Sequence, residues 1–234
     1  MDLVIRDAID LRVEQRTAWP GPGNVYGALL NFKDALAALG DAAMRPPYKA
    51  PPRAPVLYIK PRNTLAGHGA HIVVPGGVEA LRMGGTLGVV IGRVACRVRE
   101  AEALSHVAGY TVANDVSVPH ENYFRPSIRE TCRDGFCPIG PRVVARHCVR
   151  DPDDLTIDVA VDGVSRQRAS MRDLVRRVRA LIVDVTEFMT LVPGDVLLAG
   201  VAANAPLARA GQRVTVSIDG VGVLANTLVA EATA

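Results

Sequence analysis

Aromatic residues make up only 4% of the 234-residue chain, too few for the stacking platforms that single-stranded nucleic acids need. Charge of one sign is scarce as well. The formal net charge is +3, and the arginines are scattered rather than gathered into the basic stripe that a phosphate backbone requires. No apolar run reaches the roughly 18 residues of a membrane span. The opening MDLVIRDAIDLRVEQ interrupts every apolar stretch with an acid, which a signal peptide does not do. Cysteine is limited to Cys96, Cys132, Cys137 and Cys148. Their spacing fits no paired zinc motif and is too sparse for a secreted disulfide framework. Reduced, mostly buried thiols in the cytoplasm are expected. With no internal repeat and no low-complexity tract, the chain reads as neither nucleic-acid binder nor membrane protein.

What is present is a large apolar fraction, 49%, in a chain long enough to bury a core without covalent staples. Residues 1–24 read as an N-terminal extension that ends in the Trp19–Gly23 Pro/Gly linker, and residues 25–234 as one domain. A short helix is expected at Lys33–Leu39, stopped by Gly40. Strands are expected at Val56–Lys60, Ile72–Val74, Leu87–Val98, Val107–Val116, Leu155–Val161, Val196–Ala199, Arg213–Ile218 and Val223–Val229. Asp162-Gly163 supplies a hairpin turn. The one long helix is expected over Met171–Leu191, capped by Ser170, with Leu174, Val178, Leu181, Ile182, Val185 and Phe188 on one face. Many strands, one main helix and no βαβ alternation predict a mixed α+β, mainly β fold.

Five collinear segments carry a resemblance. They are Tyr58-Ile59-Lys60-Pro61 with Asn63, Leu87–Gly92, Gly109–Ser117 (GYTVANDVS), Asp134–Pro141, and Pro193–Asp195 with Leu197–Gly200. Together they resemble the fumarylacetoacetate hydrolase family over residues 25 to 230. Pro47–Pro52 and Cys132–Gly140 are similar to one subgroup, the first half of the bifunctional isomerase/decarboxylases of 4-hydroxyphenylacetate (homoprotocatechuate) breakdown, which look like two fused copies of this domain.

The resemblance implies a β-roll or sandwich like that family's C-terminal domain, acting on 2-oxo acids. It also implies a magnesium or manganese ion that chelates the substrate and stabilises an enolate. The family's ligands are a Glu-x-Glu at the start of the central strand and the Asp of A-N-D-V-S. Here Asp115 stands at the last of these, but Gly84 and Thr86 occupy the Glu places. Only a shift of register would bring Glu79 in. Other departures are Pro119-His120 for an Arg-Asp, Thr131 for a Lys, Val201-Ala202 for Thr-Pro in a late turn, and Ala35 for a His. Asp115 is either a residual metal ligand or a structural carboxylate. His120 with Glu121 is a candidate acid/base dyad. Lys60 and Arg133 are candidate substrate-carboxylate contacts, with a buried ion pair the other reading of Lys60. His68 and His71 are a weaker ligand pair, and Cys137 reads as packing.

Three functions follow as expectations. In the first, the chain is the first-copy subunit of the 2-hydroxyhepta-2,4-diene-1,7-dioate isomerase and 5-carboxymethyl-2-oxo-hex-3-ene-1,7-dioate decarboxylase. It has a degenerate metal site, and it forms a homodimer or a hetero-oligomer with an intact second copy. In the second, it is a metal-free decarboxylase or tautomerase of 2-oxo acids. In the third, it is a non-catalytic binding or scaffold module. The expected ligand is a small 2-oxo dicarboxylate or tricarboxylate, with no nucleic acid and no membrane.

Overall fold

The computed structural model describes residues 23–120 and 127–232. In chain order the strands are β1 (Val25–Leu29), β2 (Val56–Lys60), β3 (Leu65–Ala66), β4 (His71–Val74), β5 (Leu81–Ile91), β6 (Val107–Ser117) and β7 (Cys137–Pro138). They continue as β8 (Val144–Ala145), β9 (Thr156–Val161), β10 (Val164–Ser170), β11 (Val196–Leu198), β12 (Leu207–Ala208), β13 (Arg213–Ile218) and β14 (Gly222–Ala230). The helices are α1 (Lys33–Ala37), α2 (Ile128–Thr131) and α3 (Val178–Phe188). The mainly β fold with one main helix is the architecture expected.

One sheet runs β2-β1-β11-β5-β6-β8, with β12 also paired to β5, and a second runs β10-β9-β13-β14-β4. Alternation along β5 divides the protein. Leu81, Met83, Leu87, Val89 and Ile91 are fully buried in the main core, together with Ile157 and Val159 of β9 and Val214 and Val216 of β13. Gly85 is on that same face, and a Cβ there would lie 2.5 Å from the Val159 side chain, so the two sheets meet at close range. The even-numbered residues Arg82, Gly84, Thr86, Gly88 and Val90 point the other way. On that second face a smaller apolar cluster forms from Val25, Val90, Ala113, Cys137, Ile139, Val143, Val196 and Leu198.

The first sheet is rolled, and a simple distance argument shows it. Four strand steps separate β2 from β6, about 19 Å on a flat sheet at about 4.8 Å per step. Yet Lys60 of β2 contacts Asp115 of β6 at 2.5 Å. The sheet therefore curls until its edge strand faces its centre, and the second face of β5 becomes the inside of the roll.

Several expected elements shift, each for a local reason. The central strand covers Leu81–Ile91 rather than Leu87–Val98, because Arg82 through Thr86 pair in register with Ser117 through Ala113. It stops where Gly92 and Arg93 turn their N–H groups to the His106 carbonyl. The long helix is only Val178–Phe188. Met171–Asp173 is a 3-10 turn, and Ser170 caps that turn instead. The chain between is held extended by Asn31. Its backbone carbonyl accepts from the Val175 N–H, and its amide accepts from Arg176 N and donates to Arg176 O. Tertiary hydrogen bonds thus override the helical pattern. Phe188 consequently ends 69% exposed. β1 is an extra strand that the sequence pattern does not announce. Among the cysteines only Cys137 is buried, while Cys96 and Cys148 are exposed in connections rather than strands; all four are free thiols, which corrects the expectation of mostly buried ones. The Asp162-Gly163 turn has both residues at positive φ, 51° and 78°, as a tight hairpin requires. The extension read into residues 1–24 lies almost wholly outside the described residues.

Helix α3 takes its N-terminal cap from elsewhere in the chain. The buried Asp153 carboxylate accepts from the Val178 N–H at 2.9 Å. Desolvation raises the Asp153 pKa, against the opposing hydrogen bond from Val178. A raised carboxyl pKa means that the folded state favours the proton. The stability so gained is present below the ordinary carboxylate pKa and is lost as pH rises through the raised folded value. Asp153→Asn keeps a neutral acceptor for Val178, so it should equal or exceed the parent in stability at neutral pH, with the difference shrinking on acidification. Asp153→Ala removes the cap and should cost about 1 kcal/mol. Urea midpoints from pH 4 to 7 check both.

Candidate functional site

The site lies inside the roll. In the β5–β6 register Gly84 faces Asp115 and Thr86 faces Ala113. Tyr58 and Lys60, two residues apart on β2, point to this same interior by strand alternation. The Tyr58 hydroxyl donates to Asp115 Oδ2, while the Lys60 ammonium sits 2.5 Å from Oδ1. Tyr58 reaches across because β1 offers Gly27 opposite it; a Cβ there would lie 2.1 Å from the phenol ring.

Lys60 is fully buried, and its side chain is 0% exposed against 15% for Asp115. It donates to the carbonyls of Thr131 at 2.8 Å and of Val116 and Phe136 at 3.2 Å each. Its hydrogens are aimed at those carbonyls, so Oδ1 of Asp115 is balanced by charge and receives no directional hydrogen bond. This is the ion-pair reading of Lys60. Burial and the neighbouring Asp115 carboxylate push the Tyr58 pKa well above its ordinary value, so Tyr58 stays a protonated donor. Burial pushes the Cys137 thiol up to about 12, which makes it packing rather than a nucleophile.

Gly84 and Thr86, the positions at which the resemblance implies glutamates, are engaged in other ways. Gly84 carries no side chain, and a Cβ there would lie 2.6 Å from the Asp115 carbonyl and 2.9 Å from a Val201 methyl. Val201, in the place of the family's turn threonine, fills that volume. The buried Thr86 hydroxyl accepts from the Gly200 N–H at 3.3 Å. Asn31 donates to the Ala199 carbonyl at 2.8 Å and so secures the same turn. Glu79 does not enter by a change of register, since it pairs at the surface with Arg209. Among the described residues no three His, Cys, Asp or Glu side chains converge on a point that could hold a metal ion. A divalent cation needs several oxygen donors with free lone pairs, and this donor set does not fit one.

The other candidates are dispersed. His120 is half-buried with Nδ1 2.9 Å from the Val118 carbonyl, and its own carbonyl accepts from Arg82 at 3.3 Å. Glu121 lies outside the described residues. Arg133 donates through Nε to the Arg129 carbonyl at the end of α2. His68 Nδ1 accepts from the Ala225 N–H, which leaves it unsuited to pair with the exposed His71 as a ligand. Sequence reasoning quoted Tyr58 but missed its role, and it missed Arg82 and Gly27 altogether. The i, i+2 spacing of Tyr58 and Lys60 was the available signal for the first.

Removing one partner of a buried ion pair strands the other charge. Lys60→Met should destabilise the fold by about 3–5 kcal/mol. Lys60→Met combined with Asp115→Leu should recover most of that loss, as read by urea denaturation.

Comparison with known proteins agrees with this fold. The family described as "Fumarylacetoacetate (FAA) hydrolase C-terminal" matches residues 24–229. The 4-hydroxyphenylacetate degradation bifunctional isomerase/decarboxylase of Salmonella dublin is 40% identical over 209 residues, which cover 89% of this chain and 48% of that protein. The chain thus spans about half the length of the curated relatives it matches first. Among solved structures, the 2-hydroxyhepta-2,4-diene-1,7-dioate isomerase of Mycobacterium marinum superposes with a TM-score of 0.74 at 28% identity, covering 93% of this chain and 78% of that one. The fumarylpyruvate hydrolase of Pseudomonas aeruginosa, solved with Mn2+ and pyruvate, shares the fold with a TM-score of 0.77 at 24% identity, covering 89% and 90%.

Proposed function

We propose a function from one premise: the chain belongs to the fumarylacetoacetate hydrolase family. It is one copy, by its Pro47–Pro52 and Cys132–Gly140 segments the first, of an isomerase/decarboxylase of 4-hydroxyphenylacetate breakdown. An intact second copy carries the metal-assisted chemistry. The reaction is decarboxylation of a tricarboxylic oxo-hexene acid followed by isomerisation of the dienol diacid product. The place of action is the cytoplasm, in keeping with the absence, among the described residues, of a helix long and apolar enough to cross a membrane.

The observation that carries this reading is the closure of Asp115. Both carboxylate oxygens face cationic or donor groups of the same chain, and the residue opposite it is Gly84. The relatives named isomerase/decarboxylase support the pathway. This chain then contributes its folded frame to an assembly, either with itself or with the intact copy, rather than a Lewis acid. A second reading keeps metal-free acid/base chemistry at Asp115, His120 and Glu121. In its favour, the His120 carbonyl is anchored by Arg82 on the inner face that also carries Asp115.

The test is an ultraviolet assay on the tricarboxylic acid, with magnesium and with EDTA, for this chain alone and mixed with an intact copy. No turnover alone and magnesium-dependent turnover of the mixture above that of the intact copy by itself is the expected result. Magnesium-dependent turnover by this chain alone overturns it. Turnover indifferent to EDTA and abolished by His120→Ala transfers the assignment to the metal-free reading. No turnover in any mixture leaves a binding or scaffold module. A second check is thermal: Mn2+ at a hundredfold excess over the dissociation constant of a real site would add about 2.7 kcal/mol, and this chain should show no such gain.

A further inference from the structure

Arg82 is the one charged side chain of β5, and the partner-copy reading above does not use it. It sits two residues before Gly84, so alternation places it on the inner face of the roll with Gly84 and Thr86. It is flanked on both sides, opposite the buried Ser117 in β6 and the exposed Leu207 in β12. It is half-buried. Among the described residues its guanidinium makes one hydrogen bond, from Nη1 to the His120 carbonyl at 3.3 Å, and it has no carboxylate partner. Nearby acids are committed elsewhere: Asp115 to Lys60, and Glu79 to Arg209.

Among the described residues the charges on this face therefore do not cancel. Lys60 and Asp115 form a neutral pair, and Arg82 adds one positive charge with most of its donors unspent. A guanidinium presents five N–H groups in a planar fork that matches a carboxylate in a bidentate fashion. A partly desolvated cation without a counter-ion favours an anion beside it. We infer that Arg82 is the anchor of a carboxylate-binding site on the inner face of the roll, which takes a carboxylate of a small acid directly on the guanidinium with no metal between. This deepens the preceding reading, from which it takes only that the copy holds no metal. Such a copy senses or retains the pathway's acids without turning them over.

The experiment is isothermal titration of the protein with 2-oxoglutarate in the presence of EDTA. The parent should bind, more weakly as salt rises. Arg82→Gln should bind about tenfold more weakly or worse, as expected for loss of a charged hydrogen-bonded pair, with an unchanged thermal midpoint. Dimethyl 2-oxoglutarate, which has no carboxylate, should not bind. Should Arg82→Gln fail to fold, the parent protein decides: 2-oxoglutarate should shield Arg82 from phenylglyoxal, read by mass spectrometry. No binding by the parent, equal binding by Arg82→Gln or by the diester, or modification of Arg82 regardless of ligand overturns the inference. These readouts need no turnover and no second copy. Their failure is thus separable from failure of the partner-copy reading, which rests on activity.

Discussion

The buried ammonium of Lys60 is the contact around which the interior of the roll is organised. It gathers one carboxylate and three carbonyls from β6, the end of α2 and the start of β7. None of these is a neighbour of β2 in the sheet. An ammonium taken out of water is tolerable only when its charge is matched and its hydrogens are used. The curl of the sheet is what satisfies both conditions. The loop that follows α2 is tied to the turn after β2 by further bonds, from Asn63 to the Cys132 carbonyl and the Asp134 carboxylate. The edge strand, the central strand and the Cys132–Pro138 loop thus form one unit, and Asp115 is at its middle.

That unit explains why the departures from the family pattern come together. Gly84 by itself would leave a hole, and Val201 occupies it. Thr86 by itself would bury a hydroxyl, and the Gly200 N–H uses it. The Ala199–Val201 turn is also held by Asn31, the surviving part of the early Asn-aromatic signature, whose other bonds fix the segment before α3. Restoring a glutamate at position 84 would meet the Asp115 carbonyl and the Val201 side chain. Positions 84 and 86 are packing positions in this structure, and one added carboxylate would not by itself supply the several oxygen donors that a divalent cation needs.

Most of the fold was legible in the sequence, and the exceptions have physical causes. Val56–Lys60 and Arg213–Ile218 came out with their observed limits, since short apolar runs bounded by Pro, Gly or polar residues mark strands well. The start of β5 did not, because Arg82, Gly84, Gly85 and Thr86 look like a turn until β6 is laid beside them. Nor did the break before α3, because the bonds that make it come from Asn31, over a hundred residues away. Within the site, the loss of carboxylates at 84 and 86 could be read directly. The Tyr58–Asp115–Lys60 arrangement could not, since it depends on the roll bringing β2 across to β6. The surface hollow bordered by Cys148, Arg150, Asp151 and Gly220 lies on other connections, and neither the sequence nor the chemistry of this face points to it.

Asp115 and Lys60 form a neutral pair inside the roll, and among the described residues no group of three His, Cys, Asp or Glu side chains gathers there or elsewhere. A divalent cation beside that pair would add two positive charges against one carboxylate already engaged, in a partly dry interior where an unpaired ion costs several kcal/mol. Among the described residues Arg82 adds one positive charge to that face, with the His120 carbonyl as its hydrogen-bond partner, and the inferred carboxylate is what would balance it.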